Sequence, residues 1–171
     1  QGKNGMSDTN RTEDMDTSSC YAADGEILTF SPMLFKDLHE VYYIEQSVFS
    51  YHWTYPNFES SVAIGNHGCV LRNEAGKMIG YFIAMEAVDE MHLLKIAVAE
   101  EFHGKGYGRL LMDRVVDFAR ELEMESMILE VRPTNDPAVA LYKNTGFQTI
   151  GVRKGYYADT REDALVMRLV L

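Results

Sequence analysis

What this 171-residue sequence has little of narrows its possibilities before any motif is read. It holds two cysteines, Cys20 and Cys69, without the spacing of a disulfide framework or a metal knuckle. Its five histidines form no H-E-x-x-H or related pattern, so no metal site is expected. No apolar run approaches the roughly 18 residues of a membrane span and no signal peptide is visible, which points to a cytoplasmic protein with no membrane partner. Basic charge is also scarce: 16 Lys and Arg stand against 26 Asp and Glu, for a net charge of -10. A nucleic-acid backbone is bound by basic patches, so nucleic acid is not expected as a direct partner. The acidic balance suits a cationic substrate, and it suits plain solubility equally well.

What is present is an ordinary globular composition, 46% hydrophobic and 25% charged, in a chain long enough to bury a core without staples. Residues 1 to 25 are polar and aperiodic and are expected as a disordered tail, with Gln1 to Gly5 ahead of Met6 as an expression remnant. The folded domain is expected over 26–171. Ile27 to Met33 alternates as a strand, and a helix opens at Lys36-Asp37 with Leu38, Val41, Ile44 or Glu45, and Val48 on its buried face. Ser50 to Asn66 carries Trp53, Pro56 and Phe58 in a loop and short helix, either a substrate-facing lid or simple packing. Cys69 to Arg72 and Met78 to Val88 flank a turn, Asn73 to Gly76, and read as a hairpin. Cys69, two residues after His67, is open to two readings, a nucleophile beside its base or a small buried hydrophobe.

The most informative stretch begins with the apolar run Ile96-Ala97-Val98 in a strand over Glu90 to Ala99. Two acids follow, and then His103-Gly104-Lys105-Gly106-Tyr107-Gly108-Arg109 leads into a helix patterned by Leu110, Leu111, Val115, Phe118, Ala119 and Leu122. Glycines at 104, 106 and 108 leave room for backbone N–H groups to surround an anion, which the helix N-terminus also favours. A P-loop is excluded because Lys105 is followed by Gly106, and the dinucleotide fingerprint is excluded by its different glycine spacing. Downstream come a buried strand, Ser126 to Val131, with Glu130 as its one charged residue, and a short helix from Asp136 closed by Gly146. Phe147 to Tyr157 and Asp163 to Leu171 read as a closing antiparallel pair, giving one mixed sheet with helices on both faces.

On these residues the chain resembles the GNAT acetyltransferase superfamily, whose [R/Q]-x-x-G-x-[G/A] motif is matched from His103 to Gly108 except at its first position. It is more closely similar to the RimI-type enzymes through Leu129-Glu130-Val131-Arg132, Asn135, Ala140-Leu141-Tyr142 and Gly146-Phe147. A third cluster, Arg153, Tyr156-Tyr157 and Arg161 to Ala164 ending at Met167, extends the likeness to the end of the chain. The resemblance implies an α/β fold with a mostly antiparallel sheet and a splayed parallel strand pair at the cofactor site. It implies acetyl-CoA (coenzyme A) held by Ile96, Ala97, Val98, His103, Gly104, Lys105, Gly106, Tyr107, Gly108, Arg109, Asn135 and Tyr142. It also implies acetylation of the N-terminal alanine of a ribosomal protein, small-subunit protein eighteen.

The chemistry asks for the same residue types. An N-terminal ammonium, with a pKa near 7.7 to 8.0, must lose a proton before it attacks a thioester, and Glu130 in its buried strand is placed to accept it. The departing thiolate must gain a proton, and the Tyr142 phenol is suited to give it. Without the resemblance, Glu130 reads more readily as a strand carboxylate paired with an arginine, and Tyr142 as a core aromatic. The substrate's basic N-terminus is expected to meet Trp53, Tyr156 and Tyr157, with Glu86, Asp89 and Glu90 nearby for its positive residues. Two other functions stay open, a GNAT acting on a small amine or a lysine, and a catalytically silent acyl-CoA-binding module.

Overall fold

A computed structural model describes residues 15–171. In chain order the elements are β1 (Ser18–Tyr21), β2 (Ile27–Pro32), α1 (Leu38–Val48), α2 (Tyr55–Ala63), β3 (His67–Arg72), β4 (Met78–Ala87), β5 (Glu90–Val98), α3 (Tyr107–Glu121), β6 (Ser126–Val131), α4 (Asp136–Thr145), β7 (Gln148–Arg153) and β8 (Ala164–Val170). The strands form one sheet in the order β1-β2-β3-β4-β5-β6-β8-β7. Every pairing is antiparallel except β5 with β6, whose connection runs through α3. No helix among the described residues is long and apolar enough to cross a membrane.

The helices divide between the two faces as their apolar stripes require. Leu38, Val41 and Ile44 of α1 and Phe58 of α2 pack with Tyr81, Ile83 and Ala97 on one face. Leu111, Met112, Val115, Val116 and Ala119 of α3 and Tyr142 of α4 pack with Phe82, Met91, Leu93 and Leu129 on the other. The N-terminus of α2 is fixed by a reciprocal cap, Thr54 Oγ1 accepting from the Asn57 N–H and Asn57 Oδ1 accepting from the Thr54 N–H.

The expected tail is corrected at its inner end. Ser18–Tyr21 pairs residue by residue with β2, and Met15 is buried in the α3-side core. A short polar edge strand shows no periodicity in sequence, and backbone pairing to an existing strand does not need any. Residues 1–14 of that tail, including the expected remnant, lie outside the described residues.

The feature that positions the site is one extra residue in β5. Ile83 of β4 pairs with Lys95 and Ala84 with Leu93, so Leu94 has no partner and forms a bulge. Leu94 and Lys95 both turn toward α1 and α2, whereas Leu93 and Ile96 turn toward α3. A bulge bends its strand and increases its twist. The parallel pairing with β6 accordingly stops at His92 opposite Ile128, although β5 continues to Val98 and β6 to Val131.

The bulge also delivers a charge into the α1-side core. Glu45 of α1, wholly buried, receives the Tyr81 hydroxyl at 2.6 Å, the Trp53 backbone N–H at 2.8 Å and the Lys95 ammonium at 2.8 Å. The Lys95 Nζ lies 4.0 Å from the centre of the Phe49 ring and 5.7 Å from that of Trp53. This network joins α1, the α1–α2 connection, β4 and β5. Removing one partner of a buried ion pair leaves the other uncompensated, so Lys95→Met should cost about 3 to 5 kcal/mol. The double variant Glu45→Gln, Lys95→Met should recover much of that loss in urea denaturation. Additive losses in the double-mutant cycle would show that the two groups do not act as a pair.

Candidate active site

Beyond His92 and Ile128 the facing edges of β5 and β6 are unpaired, which leaves a slot bordered by Ile96, Ala97 and Val98. Buried or half-buried backbone edges require partners, and an extended ligand can supply them as a strand would. The glycine stretch lies directly past the end of β5. A 3₁₀ turn, Glu100–Phe102, leads into it, and Gly104 and Gly106 adopt φ values of 74° and 84°. Nothing lies within 4 Å of the position a Cβ would take at either residue, so the surface there is open backbone. Gly106 is the N-cap of α3, and no side chain caps it.

Gly108 differs from the other two. It is helical, and a Cβ there would meet Leu141 Cδ2 at 3.5 Å, so its place is the α3–α4 contact rather than the open loop. His103, at the position that departs from the superfamily motif, donates from Nε2 to the Val98 carbonyl at 2.6 Å and braces the loop against the end of β5. Lys105 is exposed near the Phe102 ring, which Tyr107 meets edge-on. Arg109 is committed to Asp113 and the Asn144 carbonyl. Asn135 caps α4 by accepting from the Ala138 N–H, which fixes the helix that carries Tyr142.

Glu130 and Tyr142 belong to opposite faces of the slot. Leu129 and Val131 are in the α3-side core, so Glu130 between them points to the α1 side. Tyr142 is itself part of the α3-side core, its ring tilted against Phe147. Burial, reinforced by Tyr157, pushes the Tyr142 phenol well above its ordinary pKa and keeps it protonated. Glu130 Oε2 accepts from His92 Nε2 at 2.5 Å, and Oε1 lies 3.4 Å from Arg153. Burial would raise the Glu130 carboxyl, but the hydrogen bond and charge of His92, with Arg153, outweigh it and hold the group below its ordinary value.

Around the α1-side mouth, Arg132 gathers two connections that are distant in sequence. Its guanidinium bonds Asp159, Thr160 and Glu162 of the β7–β8 connection. It stacks 3.8 Å from the Tyr157 ring centre and 5.1 Å from that of Tyr51, in the α1–α2 connection. Burial pushes the Tyr157 phenol up to about 12, against the opposing pull of Arg132. Tyr156 meets Tyr157 edge-on and lies over Arg153.

Not every expected residue joins this group. Trp53 is half-buried against Phe58, with its N–H fixed by Glu45, so it is a packed wall of the cleft rather than a lid. Glu86 is corrected outright: it bonds His67, which packs on Phe118 of α3, and therefore sits on the opposite face from Glu130. Asp89 is in the β4–β5 turn, where its carbonyl accepts from the Glu125 N–H. Glu90 stays on the α1 side but is occupied by Ser126 and Arg168. Regular alternation along β4 carries Glu86 to the α3 side with Phe82 and Ala84, and register of that kind is not written in the spacing of acids. Cys69 is fully buried, with its thiol pushed up to about 12 by burial, so it is a core residue. Sequence reasoning missed His92 and Tyr51, whose partners lie 38 residues away and on another connection.

This arrangement of a bulged strand, a parted parallel pair and a glycine corner at a helix N-terminus is that of the acetyltransferase (GNAT) family. The family's model matches residues 35–147, and the chain belongs to it. Within it, the chain is 34% identical over 147 residues to the [ribosomal protein bS18]-alanine N-acetyltransferase of Escherichia coli, covering 82% of this chain and 96% of that one. The crystal structure of the ribosomal-protein-S18-alanine N-acetyltransferase from Escherichia coli superposes with a TM-score of 0.77 at 33% identity, over 84% of this chain and 93% of that one. Ard1 from Thermoplasma volcanium gives the same TM-score at 29% identity, over 84% and 97% of the two chains.

The open backbone at Gly106 makes a direct test of the glycine corner. Gly106→Val places a β-branched residue at φ 84° and fills the space beside the α3 N-terminus. It should abolish measurable coenzyme A binding by calorimetry while far-UV circular dichroism stays unchanged. Wild-type affinity in this variant would mean that the pyrophosphate is held elsewhere.

Proposed function

We propose that this chain is an acetyl-CoA-dependent Nα-acetyltransferase acting on the N-terminal alanine of a ribosomal protein of the bS18 type, in the cytoplasm. The observation that carries the reading is the parted β5–β6 pair, with Glu130 on one face and Tyr142 on the other and the glycine corner at its end. The N-acetyltransferase names of the relatives support it.

Acetyl-CoA supplies an activated acetyl group as a thioester. In this reading the N–H groups of residues 104 to 109 and the N-terminus of α3 bind its pyrophosphate. The free edge of Ile96, Ala97 and Val98 aligns the pantetheine arm, and His103 keeps the loop in place through Val98. The N-terminal ammonium enters from the α1 side, between the Trp53 wall and the Tyr156-Tyr157 segment, and gives its proton to Glu130, directly or through water. Tyr142, protonated and held by α4, donates to the departing sulfur. Folding and transfer chemistry together occupy residues 15–171, which we read as one N-acetyltransferase domain.

Attraction of a basic terminus then rests on the net charge of -10 rather than on a dedicated acidic trio, because Glu86 and Glu90 are already paired. Such steering weakens as salt rises. Two measurements check the reading. Tyr142→Phe should lower kcat by about 10² to 10⁴ with coenzyme A affinity retained; wild-type turnover would mean that water supplies the proton. An alanine-initiated basic peptide should be acetylated in preference to the same peptide with a blocked N-terminus and an internal lysine, and to a polyamine. Comparable kcat/KM on either competitor would move the assignment to a lysine or small-amine enzyme.

A further inference from the structure

Beside α1, at the glycine-corner end of the sheet, lies a groove that the transfer chemistry does not use. It encloses about 530 Å³ between the helix and the Glu100–Phe102 turn, a size that holds a ligand. Ile44, Met78 and Ala99 are the buried part of its lining, and Tyr43, Glu100 and Glu101 stand at its exposed rim. Ala97 borders the slot and Ala99 lines the groove, two residues apart in extended backbone and both facing α1, so the groove begins about 7 Å from the slot.

The rim is acidic and aromatic. Glu100 makes no side-chain hydrogen bond or ion pair among the described residues. Glu101 is held at 2.6 Å by Lys77, and both of those side chains are about half exposed. Glu40 closes the rim with both oxygens on Arg72. The sequence of α1 holds no lysine or arginine, and its Tyr43 ring is 73% exposed. Phosphates would meet Glu100 and Glu101 here, so the groove is not an extension of the pyrophosphate corner, although the same turn borders both. The mouth of the slot lacks such a site, because Glu86 and Glu90 are paired.

Resting on the Nα-acetyltransferase reading, we propose that this groove is an exosite for the acceptor protein, taking a basic segment that follows the acetylated terminus. A lysine or arginine of that segment lays its stem on Ile44, Met78 and Ala99 and sets its charge against Glu100 and the Tyr43 ring. A second cation takes Glu101 from Lys77, an exposed pair that is lost at little cost. His39 to Ser47 span about 12 Å of α1, the reach of roughly three to four extended residues. With about 7 Å between slot and groove, the segment is about the third to the sixth residue of the acceptor. The slot then reads the terminal amine and the groove reads the charge that follows it.

The test uses an alanine-initiated peptide of about ten residues with arginines at its third to sixth positions, the same peptide with glutamines there, and an N-terminally blocked copy of the basic one. The proteins are wild type, Tyr43→Ala, the pair Glu100→Gln, Glu101→Gln, and the control pair Glu123→Gln, Glu125→Gln. The control removes the same charge at the opposite end of β5, where the Asp89 carbonyl accepts from the Glu125 N–H. Coenzyme A calorimetry and circular dichroism should be unchanged throughout. We expect Tyr43→Ala and the Glu100, Glu101 pair each to raise KM for the basic peptide about 10-fold at constant kcat, and to weaken binding of the blocked peptide equally. Neither should move KM for the glutamine peptide, and the control pair should change nothing by more than about 2-fold. Wild-type KM in the Glu100, Glu101 pair overturns the proposal, and so does an equal rise in the control pair, which would assign the effect to net charge. Displacement of the blocked peptide by a polyamine at equal affinity would make the groove a small-cation site. Self-association of wild type that Tyr43→Ala abolishes would give the face to a second copy, and either result also overturns it. If wild type acetylates none of the peptides, the acetyltransferase reading fails separately, and calorimetry of the blocked peptide still decides whether the groove takes a basic segment.

Discussion

One unpaired residue, Leu94, sets the geometry on which everything else depends. A parallel pair normally holds its hydrogen bonds along its whole length, and closing the β5–β6 edge would leave nothing for a ligand to bond. By bending β5 away after His92, the bulge exposes a backbone edge and admits side chains from both faces of the sheet. It also places two consecutive residues, Leu94 and Lys95, on the α1 side, which regular alternation forbids. The ammonium of Lys95 is thereby forced into an apolar layer, where it needs a counter-charge.

That counter-charge is Glu45, and the consequence reaches the mouth of the slot. Because Glu45 also takes the Trp53 N–H and the Tyr81 hydroxyl, the α1–α2 connection is anchored to the same strand whose bend opens the slot. Across the mouth, Arg132 anchors the β7–β8 connection through Asp159 and Glu162 and touches Tyr51 on the first connection. The two cations are near enough for Arg132 to depress the Lys95 ammonium, with burial as the larger cause and Glu45 opposing both. Each cation is therefore matched to its own acids, and the acceptor cleft has walls fixed by ion pairs rather than by chain stiffness. A molecule approaching it meets aromatic rings and half-neutralised charge, not a free acidic patch.

The glycine corner, the strands on either side of it and the capped helix that carries Tyr142 were legible in the sequence because each is a local pattern of a few residues, whereas the parting of β5 from β6 beside Glu130 and Tyr142 was implied only by the family resemblance. The helix α2 was half legible, through Pro56 and the Thr54 cap, because capping is also local. What could not be read were relations set by register. Ile44 and Glu45 both satisfied the α1 stripe, and only the bulge in another strand explains why the glutamate is buried beside the isoleucine. The acids at 86, 89 and 90 are close in sequence but diverge over two faces and a turn. β1 escaped notice because pairing with β2 asks nothing of its side chains.

His92 belongs to the same category and shows why it matters. On its own strand it is one polar residue between Met91 and Leu93, and no spacing within β5 marks it. It acquires meaning only from parallel pairing, which brings it level with Ile128 and so within reach of Glu130 at the point where the strands part. A side chain placed lower on β5 would stand over fully paired strands, away from the open edge, and one placed higher would be carried away from β6 by the bulge. The carboxylate and the imidazole therefore meet at the fork itself. The same fork exposes the backbone edge and brings the Tyr142 helix to the other face of the sheet, so the carboxylate, the free edge and the phenol share one structural cause.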